Sequence, residues 1–288
     1  MRIYLDNNHI QELVKNQDLI LAKKLKSHQI ELLFSFINLL EITQGELKEK
    51  VLDVADFLEK CKLLYLKKPK LLFERELFIF LNKDSIDPGF ITQNFNDCME
   101  HSLTLGLPKL IDLIGYIKSN NISELIRLST RDEIFNRKEL FSRKFLEQWG
   151  KSNEGISRNW GSKGIGRNWK NYVSQNYMKQ YINMISIING IIHQIDDSSP
   201  SDFLSFSMCF FTQHIRHEQK GKKWTQNDFF DIQQCMAIPF VDYFVTDQGN
   251  PCASNQVKAR LKKDIPCLSK TEIIDSLEML ELFLIESS

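Results

Sequence analysis

The feature that most constrains this chain is a set of short, unbroken apolar runs, each followed by a stretch of helical periodicity. Arg2-Ile3-Tyr4-Leu5 ends at Asp6, Leu32-Leu33-Phe34-Ser35-Phe36 runs toward Glu41, and Tyr243-Phe244-Val245 ends at Thr246-Asp247. Runs this short, without polar alternation, suit strands buried on both faces. The intervening stretches suit helices. Residues 9–26 place Ile10, Leu13, Val14, Leu21 and Leu25 on one face, and a helix after the second strand carries Leu39, Leu40 and Ile42. Further helices are expected over 46–62, 69–82 and 226–237, the last capped by Thr225. Strands that alternate with helices predict an α/β fold, a small parallel sheet flanked by helices.

The remaining segments complete this organisation. The turn Asp6-Asn7-Asn8 follows the first strand, and Gln248-Gly249-Asn250-Pro251 follows the strand at Tyr243. A short helix is expected over 254–263 and an edge strand at Ile265-Pro266-Cys267-Leu268, because proline is tolerated there. Ser269, with Glu272 three residues on, predicts a capping box opening a last helix. The whole reads as one domain, with a core over 1–83 and 200–288 and a helix-rich insertion over 84–199.

Composition narrows the function classes. Lys plus Arg and Asp plus Glu are both 37, so the formal net charge is zero and a polybasic whole-chain binder is excluded. No run reaches the roughly 20 apolar residues of a membrane helix. The first residues lack the apolar core of a signal peptide. The six cysteines are scattered without a C-x-x-C pair and read as free thiols, mostly core, in a reducing compartment. A cytoplasmic protein is the expectation.

In a parallel sheet, functional groups gather at the carboxyl ends of the strands. Asp6 and Asp247 stand at such ends, Glu41 follows the second strand, and Asp231 lies on the helix that feeds the Asp247 strand. Each acid alone is commonly a turn former or a helix-dipole partner. Together at one sheet edge they repel one another and resist ionisation unless a cation neutralises them. Mg²⁺ and Mn²⁺ accept such oxygen ligands, polarise a phosphate and activate water for in-line attack.

Tyr4-Leu5-Asp6-Asn7-Asn8 resembles the strand–Asp-x-Asn opening of the PIN-domain nucleases. Ser35-Phe36-Ile37-Asn38-Leu39-Leu40-Glu41 is similar to that family's second strand and Glu-bearing helix. Asp231 to Ala237 resembles its Asp-Ala-x-Ile-Ala helix, Phe244-Val245-Thr246-Asp247 its Leu-Val-Thr-x-Asp strand end, and Cys267 to Glu272 its closing strand and helix. The resemblance covers roughly residues 1–80 and 225–288. It departs at the fourth acid, where Asp247 follows Thr246 directly, so Asp242 stands as an auxiliary or substitute.

The resemblance implies a PIN-like core and a divalent-metal-dependent endoribonuclease that hydrolyses RNA phosphodiester bonds, in a bacterial toxin or defence role. Asp6, Glu41, Asp231 and Asp247 would be catalytic and hold Mg²⁺ or Mn²⁺. Asn8 would orient Asp6 or a water, with Asp242 and Thr246 auxiliary. RNA is the implied substrate, and an inhibitory protein partner and a homodimer stay open. The alternative is a noncatalytic PIN-like scaffold that binds RNA or protein.

Two basic segments bear on RNA. Residues 127–170 hold eleven Lys or Arg against five Asp or Glu, interleaved with Phe135, Trp149, Trp160 and Trp169. Basic and aromatic residues together suit a phosphate backbone with unpaired bases. Phe141 and Phe145, four apart, instead suit a core face. Within this segment Arg158, Lys163 and Arg167 lie in a glycine-rich loop, and Lys222 and Lys223 form a second small run. His214 and His217 have metal-ligand spacing without a third ligand, which suits a surface better. Gly161-Ser162-Lys163-Gly164 lacks a full phosphate-binding loop, so nucleotide hydrolysis is not supported.

Overall fold

The computed structural model describes residues 1–44, 48–67, 72, 76, 89–94, 112, 114–116, 231, 233–247, 250 and 270–286. These residues form an α/β fold around a mixed, mostly parallel sheet. Its strands are β1 (Arg2–Leu5), β2 (Glu31–Ser35), β3 (Lys62–Leu66), β4 (Ile91–Thr92), β5 (Tyr243–Val245) and β6 (Glu272–Ile274). Their order across the sheet is β4-β3-β2-β1-β5-β6. Only β4 is antiparallel; it pairs with β3 through Tyr65–Thr92 and Leu66–Ile91.

The chain leaves β1 toward β2 and β3 on one side, then returns to β5 and β6 on the other. The order reverses at β1, and in open α/β sheets ligands bind outside the carboxyl ends of the strands at such a point. Register places Tyr4 opposite Phe244 and Leu5 opposite Val245, and Asp6 N–H continues the ladder to the Val245 carbonyl at 3.1 Å. The Tyr4 and Phe244 rings stack at 5.0 Å with 6° between their planes, beneath the strand ends.

The helices are α1 (Asn7–Lys15), α2 (Ile20–Lys26), α3 (Phe36–Gln44), α4 (Lys48–Glu59) and α5 (Leu277–Glu286). One apolar core joins them to the sheet, with Ile3, Leu5, Leu13, Leu25, Phe34 and Val245 fully buried. Burial of β1 on both faces explains its unbroken apolar sequence. The last helix ties back to the first third of the chain. The Glu281 carboxylate of α5 accepts Ile20 N–H at 3.0 Å and Leu21 N–H at 2.6 Å, capping α2 where Leu19 offers no side-chain acceptor.

Several expectations are corrected. The helix over 9–26 is two helices, broken across Asn16 to Leu19; Asn16 closes α1 by donating its N–H to the Glu12 carbonyl, and Leu19 is extended. The expected turn at Asn7-Asn8 is the first turn of α1, because Asp6 caps it. The helix expected over 46–62 ends at Glu59. Lys62–Leu66 then forms β3, whose apolar run is bounded by no glycine or proline. β4 is a short strand inside the stretch expected to be helix-rich, and Ile114 of that stretch is buried. Near the C-terminus, Glu272 opens β6 where the first turn of a helix was expected. The final helix begins at Leu277, with Met279 N–H donating to Ser276 Oγ at 3.3 Å. Ile273 and Ile274 are β-branched and buried, which outweighs the Ser269–Glu272 spacing.

Cys61 and Cys235 are buried free thiols, and the other cysteines lie outside the described residues. So do the expected helix over 254–263 and the expected strand at Ile265–Leu268. Among the described residues, no helix is long and apolar enough to cross a membrane.

Candidate metal centre

The site grows from two helix starts and one strand exit. At the end of β1, Asp6 is the N-cap of α1. Its Oδ1 accepts Asn8 N–H at 2.9 Å and His9 N–H at 3.3 Å, satisfying two otherwise orphaned helix donors. At the end of β2, Ser35 and Asn38 cap α3 reciprocally. Asn38 N–H donates to Ser35 Oγ at 3.3 Å and Ser35 N–H to Asn38 Oδ1 at 2.9 Å, a capping box with Asn in place of Glu. Asn38 also donates to the Leu5 carbonyl at 3.0 Å. This fully buried amide locks the start of α3 against the end of β1. Glu41, three residues on, shares that helix face and is brought toward Asp6.

Asp247 follows Thr246 out of β5. Its backbone N–H donates to Asp6 Oδ2 at 3.3 Å, and its side chain accepts from Asn8 Nδ2 at 2.6 Å. The Asn8 side chain therefore orients Asp247, where the sequence suggested Asp6 or a water. Thr246 is buried, and its N–H donates to the Ile274 carbonyl at 3.0 Å, so it contributes sheet backbone at this exit. Asp231 is half-buried on the helical turn before a 3-10 helix (Cys235–Phe240). From the same turn, Gln234 Nε2 donates to Glu41 Oε2 at 2.8 Å.

Electrostatics bind the four acids into one system. Burial pushes the Glu41 carboxyl up to about 8, and the charges of Asp6, Asp231 and Asp247 push in the same direction. Asp6 is also raised, chiefly by burial; His9 opposes that rise and Asp247 adds to it. Carboxylates that raise one another in this way favour a cation between them. The floor of the site is buried, with Asp6 only 6% exposed, while the Asp247 side chain at the rim is 50% exposed.

Asp242 does not join them. It precedes β5, so it lies at the amino end of the sheet, five residues or about 16 Å of extended strand from Asp247. There its Oδ2 accepts Arg2 N–H at 2.7 Å. Arg158, Lys163, Arg167, Lys222 and Lys223 lie outside the described residues, as do His214 and His217.

No family model, curated protein or solved structure matches this chain. The site is therefore defined by its own geometry. One ligand atom from each of Asp6, His9 and Asp247 lies within 4.8 Å of the others, close enough for a single metal ion. Glu41 and Asp231 stand outside that triad, and the charges of Asp6 and Asp247 push the Glu41 carboxyl up. The sequence reading missed His9. It lies three residues after the N-capping Asp6, in the first turn of the helix whose start carries the site.

Proposed function

We propose that this chain is a divalent-metal-dependent endoribonuclease with a PIN-like core. The observation that carries the reading is that one ligand atom from each of Asp6, His9 and Asp247 lies within 4.8 Å of the others, beside a Glu41 carboxyl that burial and the charges of Asp6, Asp231 and Asp247 push up to about 8. Strand order supports it too, because the order reverses at β1, where α/β folds bind ligands.

The donor set fits a hard or borderline divalent cation such as Mg²⁺ or Mn²⁺. Asp6 and Asp247 offer carboxylate oxygens within reach of one ion, and Glu41 and Asp231 add negative charge beside it. When bound, such an ion neutralises a phosphate and activates water. The protein's own part is positioning. The Asp6 cap and the Asn8 amide fix the two carboxylates, the Asn38 capping box fixes α3, and Gln234 holds the Glu41 carboxyl. The departure from the family pattern at Thr246-Asp247 does not remove the fourth acid from the site, since Asp247 N–H reaches Asp6.

The test is incubation with a mixed RNA pool in Mn²⁺ or in EDTA, comparing wild type with Asp231→Asn. Cleavage in Mn²⁺ that EDTA abolishes and Asp231→Asn strongly weakens is the expected result. RNA binding without cleavage under any of these conditions would assign the chain to the scaffold class.

A further inference from the structure

His9 presents a problem that the four acids do not solve. It is 6% exposed, yet neither ring nitrogen has a hydrogen-bond partner among the described residues. A buried polar group left this way costs free energy and calls for an explanation. The ring is flanked by two carboxylates. Nε2 faces Asp247 Oδ1 at 3.7 Å, and Nδ1 faces Glu12 Oε2 at 3.8 Å.

Both distances are too long for hydrogen bonds. The first is nonetheless suited to two ligands of one ion. With metal–ligand bonds of about 2.1 Å, neighbouring ligands stand about 3.0 Å apart on an octahedral ion and about 3.4 Å apart on a tetrahedral one. The Asp6, His9 and Asp247 ligand atoms lie within 4.8 Å of one another, so they would draw in around an ion. The second puts Glu12 on the far side of the ring, from which its carboxylate could move in to accept Nδ1–H and set the tautomer of a ligating histidine. Proton on Nδ1 toward Glu12 leaves the Nε2 lone pair facing Asp247.

We propose that His9 Nε2 is a nitrogen ligand completing the Asp6–Asp247 site, and that it makes the site select an imidazole-accepting transition ion over Mg²⁺. This rests on the metal-site reading above and sharpens its metal class. Mg²⁺ demands oxygen ligands and gains little from imidazole, whereas first-row transition ions bind it well. Glu12 is a positioning residue for His9.

The experiment is calorimetric titration of tag-free protein with CoCl₂ and, separately, MgCl₂, alongside the visible absorption of bound Co²⁺. Wild type should bind Co²⁺ at least about a hundredfold more tightly than Mg²⁺. His9→Gln should weaken Co²⁺ by about tenfold or more and alter its absorption, while changing Mg²⁺ by less than about threefold. His9→Asp, which restores an oxygen ligand, should keep Mg²⁺ binding and lose the Co²⁺ preference. Glu12→Gln should weaken Co²⁺ by up to about tenfold. Should His9→Gln fail to fold, His9→Asp and the proton NMR spectrum of Co²⁺-loaded wild type decide the matter. A strongly shifted, exchangeable imidazole N–H is expected, and its absence would overturn the proposal. Unchanged Co²⁺ affinity and absorption in both His9 variants would also overturn it, while loss of Mg²⁺ binding in Asp6→Asn would keep the wider metal reading standing. If Asp6→Asn weakens neither ion, both readings fall together.

Discussion

At the amino end of the sheet, Glu31 has Lys62 Nζ at 2.7 Å and Arg2 at 3.4 Å, and Asp242 accepts the Arg2 backbone N–H at 2.7 Å. At the carboxyl end, Glu41 has a neutral Gln234 amide at 2.8 Å and the charges of three other acids around it. The consequences are opposite in sign. The hydrogen bond and charge of Lys62 hold the Glu31 carboxyl below its ordinary range. Burial and like charge lift Glu41 to about 8. Acids at one end are paired and serve the fold. At the other, Glu41 is surrounded by like charge, which disfavours its ionised form unless a cation is bound.

The comparison breaks most sharply on activity. Asp6→Asn should lower metal-dependent RNA cleavage by more than about a hundredfold, while Asp242→Asn leaves it within about twofold. Asparagine caps helices about as well as aspartate, so Asp6→Asn should keep α1 and leave the metal-free Tm level or slightly raised. Circular dichroism melts beside cleavage assays check both. A large fall in the metal-free Tm would make Asp6 a structural cap alone.

The next effect is on pH dependence, and the two ends differ in sign. Glu41 holds its proton more tightly folded than unfolded, so metal-free stability should fall as pH rises from about 4.5 to about 8. Glu41→Gln should flatten that fall and melt several degrees higher than wild type at pH 8. Glu31 runs the other way. Its contribution is present above about 4.5 and is lost as pH falls through its lowered folded value. Glu31→Gln should therefore act on the acid limb only. Melts across pH in EDTA separate the two.

Smaller effects sharpen the picture. Asn8→Ala removes the amide that holds Asp247 and should weaken Mn²⁺ binding by about tenfold, read by calorimetry, with little change in the metal-free Tm. Glu281 is an acid of the paired kind, since it caps α2. Glu281→Ala should cost about 1 kcal/mol in denaturant unfolding and leave metal affinity unchanged.

What the sequence disclosed follows from the same contrast. β1, β2 and β5 were legible because strands buried on both faces carry unbroken apolar runs, and their exits carry the acids. β3 was hidden because Cys61-Lys62-Leu63 continues the apolar rhythm of α4 without a break. β6 was displaced by a Ser-x-x-Glu spacing that only local hydrogen bonding could have disproved. Asp6, Glu41, Asp231 and Asp247 were expected from their places after strands and beside helices, and of these the structure brings Asp6 and Asp247 together as ligand atoms. Which acid faced which end of the sheet could not, and Asp242 shows why: a strand of three residues puts its two flanking acids at opposite ends. His9 was missed because one histidine on a helix carries no spacing pattern. Its meaning lies in burial without a hydrogen bond, which only coordinates reveal.

The central claim is that the acids at the carboxyl end form a cation site, and the Tm of wild type and Asp247→Asn across pH, with and without Mn²⁺, tests it most directly. The account predicts that Mn²⁺ raises the wild-type Tm and abolishes its fall between about pH 4.5 and 8, and that Asp247→Asn loses most of this response. An equal response in Asp247→Asn, or none in wild type, would contradict it.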